Sequence, residues 1–71
     1  MEEQIDLQKY FKMKLDGKDP LSIFSVARID GLQNFKCLMV LQEVCGMSLD
    51  EARKISYKYN GLDENGKSAK N

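Results

Sequence analysis

Two cysteines, Cys37 and Cys45, are the natural nucleophiles of this sequence, and neither can draw on a histidine, because the chain contains none. Without histidine the commonest general base is gone. So are the Cys–His and Ser–His nucleophile pairs and most transition-metal sites. Two cysteines alone do not form a zinc constellation. Asp16-Gly17-Lys18-Asp19 and Asp63-Glu64-Asn65-Gly66 carry oxygen ligands of the kind calcium takes, yet neither has the alternating spacing or terminal Glu of an EF-hand loop. They read as turn and tail. No phosphate-cradling G-x-x-x-x-G-K-S/T or G-x-G-x-x-G run occurs. The other carboxylates are scattered over helix starts and solvated faces. No cofactor, metal site or enzymatic activity is expected.

What remains is binding chemistry. The candidate partner-binding residues are Phe35, Met39, Met47, Arg53 and Tyr57. With Val40, the first three are apolar side chains left over once two predicted helices pack through Leu38, Leu41, Ile55 and Tyr59, and helices 1 and 2 are expected to cover some of the four. Tyr57 falls on the polar side of its helix, one turn from Arg53, and Tyr and Arg are enriched at protein contact points. Each has an ordinary use as well: Met fills gaps in cores, and a Tyr ring packs over neighbouring loops.

The elements that position these residues follow from caps and periodicity. Asp6 caps a first helix running to about Leu15, with Leu7, Tyr10, Phe11 and Leu15 on its buried face. Phe11, Met13 and Leu15 against Lys12 and Lys14 also alternate as a strand would, but helix is the preferred reading. Asp19-Pro20 starts a second helix, Asp at the N-cap and Pro where a missing N–H costs nothing. Ser22, Ser25 and Arg28 mark its polar arc, Ile23, Phe24, Val26 and Ala27 the buried one, and Asp30-Gly31 stops it. Asn34 caps a third helix, Phe35 to Cys45, whose main apolar face is Cys37, Leu38, Leu41, Val44 and Cys45. Phe35, Met39 and Val40 make it apolar nearly all round, which suits a central helix. Gly46 ends it, and Ser48 with Glu51 forms a capping box that starts the fourth, with Met47 as a hydrophobic staple on Ala52. That helix buries Leu49, Ala52, Ile55 and Tyr59 and ends near Asn60-Gly61. Asp50 is placed to pair with Lys54, and Glu51 with Lys54 or Lys58, on its surface.

From Leu62 the chain reads Leu-Asp-Glu-Asn-Gly-Lys-Ser-Ala-Lys-Asn, too polar to offset chain entropy, so residues 62–71 are expected to be a disordered tail. The fold class is then all-α: a small bundle of about four short helices in a single domain over residues 1–61. An apolar fraction of 42% in 71 residues supports one small core and no deep pocket beside it. Eight residues along a helix separate Cys37 from Cys45 by about 12 Å, beyond the roughly 7 Å that a disulfide spans between Cα atoms. Unpaired thiols, no signal segment and no apolar run of membrane-spanning length point to a cytoplasmic protein without a membrane partner. Eleven basic residues balance eleven acidic ones, giving no global field for nucleic acid.

The run from Phe35 to Arg53 resembles the helical hairpin in the C-terminal domain of the bacterial ribosomal stalk protein, over about residues 31–57. Gly46, Leu49, Glu51 and Ala52 match its Thr-Gly-Leu-Gly-Leu-Lys-Glu-Ala-Lys pattern in place. In that family the hairpin binds translational GTPases through basic and small residues. Here the usually basic positions hold Asn34, Met39, Gln42 and Asp50, and Arg53 is the basic match. Gly46-Met47-Ser48 with Glu51-Ala52 is also similar to the loop and following helix of ubiquitin-associated-type modules. Gly46 to Arg53 resembles the Gly-Phe-Ser-Leu-Glu-Glu-Ile-Arg of helix-turn-helix regulators of the mercury-resistance type, which implies DNA reading by residues 49–59. The expected function is a non-enzymatic protein–protein interaction module, binding another protein or itself through the exposed faces of helices 3 and 4. DNA binding and stalk-like binding of translational GTPases or ribosomes are the alternatives.

Overall fold

A computed structural model of the chain describes residues 5–62 and 67. It contains four α-helices: α1 (Leu7–Leu15), α2 (Pro20–Ile29), α3 (Asn34–Cys45) and α4 (Leu49–Tyr59). The all-α class and the order of elements match the sequence reading. None of these helices is long and apolar enough to cross a membrane. The tail expected over 62–71 lies outside the described residues, apart from Leu62 and Lys67.

Three helix starts are fixed by side chains that satisfy orphan backbone donors. The Lys9 N–H donates to Asp6 at 3.3 Å, and the Ser22 N–H to Asp19 at 3.0 Å. At α4 the Glu51 N–H donates to Ser48 Oγ and the Ser48 N–H to Glu51 Oε1, each at 3.2 Å. The start of α3 differs from expectation. Gln33 is the flanking residue, with no side-chain cap bond, and Asn34 lies inside the helix. The Asn34 side chain accepts instead from the Ser56 hydroxyl at 2.8 Å. A long-range partner has displaced the local one.

Three helices end in the same way. In α1, α2 and α4 the N–H two residues past the cap position reaches back five residues: Lys18 to Met13 O, Leu32 to Ala27 O and Leu62 to Tyr57 O. The glycine before each of these donates to the carbonyl three residues back, which completes a Schellman motif. Leu62 therefore belongs to the end of α4 and is half-buried, one residue beyond the expected domain boundary. The third helix ends instead directly on Gly46, at φ 68°, a left-handed conformation that costs an L-residue with a Cβ roughly 1–2 kcal/mol.

The core lies between α2, α3 and α4, with α1 laid over α2 and α3. The α3 helix packs against all three others and contributes Cys37, Leu38, Val40, Leu41 and Val44 to the interior. Val40, which the sequence left on the outer surface, is fully buried. At about 100° per residue it sits on the flank away from Asn34 and Leu38. In α1 only Tyr10 is buried, while Leu7 and Met13 pack partly, a stripe at three-residue spacing. Phe11 and Leu15, expected inside, are 42% and 86% exposed, because that stripe turns them away from both neighbours. In α4 the buried residues are Ala52 and Ser56, with Ile55 half-buried. Leu49 and Tyr59 are exposed against expectation, although the Tyr59 ring still packs on Phe24 with centroids 5.1 Å apart.

Candidate interaction surface

The α3–α4 hairpin carries all five predicted contact residues, and its geometry decides which of them share a face. The Ser56–Asn34 bond pins the end of α4 beside the start of α3. The next residues along, Tyr57 and Phe35, therefore lie at the same end of an antiparallel pair. Within α3, Phe35 and Met39 stand one turn apart, 66% and 40% exposed, on the side opposite the buried face. Within α4, Arg53 and Tyr57 stand one turn apart on the flank next to Ser56. Arg53 is exposed and Tyr57 half-buried. The two pairs thus sit side by side on the outer face of the hairpin. No hydrogen bond, ion pair or ring contact joins them to one another.

Met47 belongs elsewhere. It is half-buried at the corner, at the opposite end of the hairpin from Phe35, and packs against the core. Its placement is that of a staple and gap-filler.

The electrostatics of the face are mild. Arg53, Lys54 and Lys58 are exposed, as are Glu43 and Asp50. The surface pairs expected from Asp50 and Glu51 to Lys54 or Lys58 do not form among the described residues, and the Glu51 carboxylate is engaged at the Ser48 N–H instead. A Lys54 ammonium is thereby left to solvent.

The cysteines are poor nucleophiles in this setting. Burial pushes the Cys37 thiol up from its ordinary range, against a smaller opposing pull from Arg28, and its Sγ donates to Leu32 O at 3.7 Å. Burial also pushes up Cys45, offset in part by Lys14 of α1. Both are free thiols. Among the described residues no three His, Cys, Asp or Glu side chains converge on a metal position.

Sequence reasoning missed two sets of exposed or polar residues. Phe11, Leu15 and Ile29 are large apolar side chains left in solvent; Phe11 and Leu15 shared the spacing of the expected buried face, whereas Ile29 falls within the Ser22–Ser25–Arg28 arc. The other is Lys9, Tyr10 and Asp30, where both donors meet one carboxylate oxygen. Comparison with protein families, with curated proteins and with solved structures finds no match to this chain.

Proposed function

We propose that this protein is a non-enzymatic interaction module that binds another protein, or a second copy of itself, through the outer face of the α3–α4 hairpin. The observation that carries this is the exposure of Phe35 and Met39 on the most central helix of the bundle. Apolar side chains stabilise a domain of this size most when they are inside its core. Two large ones, adjacent and flanked by an Arg and a Tyr, form the composition that recurs at contact hot spots. The unpaired thiols suit a reducing compartment, and we place the protein in the cytoplasm. Ribosomes and translational GTPases are the partner class implied by the stalk resemblance, and co-sedimentation with ribosomes tests it.

A photo-crosslinking side chain at Phe35 or Met39 tests the module directly in cells. Adducts to one defined protein, or to the chain itself, are expected there in clear excess over the same group at exposed Lys54. Equal yields at all three positions would sink the proposal.

One observation favours a second reading. Arg53, Lys54 and Lys58 are all exposed on the helix that follows the tight Gly46 corner, as a recognition helix requires. Against it, Asp50 and Glu51 occupy the first turn, where such a helix meets bases or phosphates. DNA binding predicts an affinity for duplex that falls steeply with salt. Absence of duplex binding at low salt would remove this reading.

A further inference from the structure

We infer that α1 is a latched strap, a helix that opens and closes on the α2–α4 core as a separate unit and is held shut by Asp30. The latch is a single oxygen. Asp30 Oδ2, just past the end of α2, accepts from the Tyr10 hydroxyl at 2.6 Å and from Lys9 Nζ at 2.6 Å. Both donors are neighbours on α1, and bonds to an ionised acceptor are the stronger kind.

Beyond the latch, α1 is held by Tyr10 inside the core and by Leu7 and Met13 packed partly against it. Tyr10 is its one fully buried side chain, and α1 has no contact with α4. Its C-terminal Schellman motif has both backbone bonds but a polar residue at its last position. The residue two past the cap position is Leu32 for α2, which is buried, and Leu62 for α4, which is half-buried. At α1 that position is Lys18, which is exposed. The remaining three helices contact one another pairwise and keep every cap and bond of their own when α1 leaves. Opening uncovers the surface of α2 and α3 against which α1 packs, whereas Phe35 and Met39 are already exposed. Stability is thus unevenly distributed, with α1 at the low end.

Native-state hydrogen exchange of the full chain tests this with two variants. In the wild type, α1 amides should exchange at least about ten-fold faster than the slowest amides of α2–α4. Asp30→Ala removes the acceptor and should raise the α1 rates about ten-fold or more. Ser48→Ala removes a cap that survives strap opening. It should raise the slowest α2–α4 rates about five-fold and leave the α1 rates unchanged. Equal acceleration of α1 by Ser48→Ala would mean one cooperative unit and overturn the strap. Unchanged α1 rates in Asp30→Ala would overturn the latch. Should Asp30→Ala fail to fold, the wild-type and Ser48→Ala measurements still decide whether α1 opens separately.

Discussion

Asp30 and Tyr10 form a pair whose protonation reports on folding. Bonds from Lys9 and then Tyr10 hold the Asp30 carboxyl below its ordinary value of 3.8. The folded protein therefore binds fewer protons there than the unfolded chain. This contribution is complete above the unfolded value and is lost as pH falls through the lowered folded one. Tyr10 works in the opposite sense: burial first, then the bond to Asp30, pushes it well above its ordinary 10.0. Its contribution is intact below that ordinary value and is lost as pH rises past it toward the raised one. Urea titrations across pH should show the wild type losing its advantage over Asp30→Asn in acid. On the alkaline side Tyr10→Phe should lack the wild type's decline. No reading of the sequence foresaw this pair, because its members are 20 residues apart and each had a local explanation, Tyr10 as core and Asp30 as helix stop. The exposed Phe11 and the buried Ser56 were illegible for the same reason. Side-chain type states a preference, and the neighbours decide.

At the level of helices, the punctuation was legible because it is local. Asp6, Asp19 and the Ser48–Glu51 box satisfy donors within three residues, so no tertiary knowledge is needed to place them. Ser48→Ala should cost about 1 kcal/mol, measured as a lowered urea midpoint. Asn34 was read wrongly by the same logic, since its cap role lost to the bond with Ser56. The Schellman ends carry a further contrast. Leu62→Ser removes a half-buried apolar contact and should cost about 1 kcal/mol. Lys18→Ser, at the matching position of α1, should stay within about 0.5 kcal/mol. Thermal melts of the two variants side by side decide it.

For the whole molecule, the number and order of helices followed from the sequence, whereas the covering of α3 did not. An almost uniformly apolar helix declares itself central without saying which side stays bare, and the position of α1 settled that. Leu41→Ala, at a fully buried site, should cost about 2–5 kcal/mol, enough to unfold much of a domain this small. Leu15→Ser should lie within about 0.5 kcal/mol despite removing a similar side chain, and chemical denaturation separates the two. At the Gly46 corner, backbone chirality decides which side chain is accepted. A Cβ built there would meet nothing within 4 Å, so exposure and free space alone would mark the site as tolerant. Its φ of 68° makes it stereochemically selective instead. A chain of 71 residues is within reach of chemical synthesis, so the mirror-image residue can be installed. D-alanine in place of Gly46 should raise stability by about 0.4–1 kcal/mol by restricting the unfolded chain, whereas L-alanine should lower it. The hairpin's turn would then be a surface position that discriminates between enantiomers without touching anything.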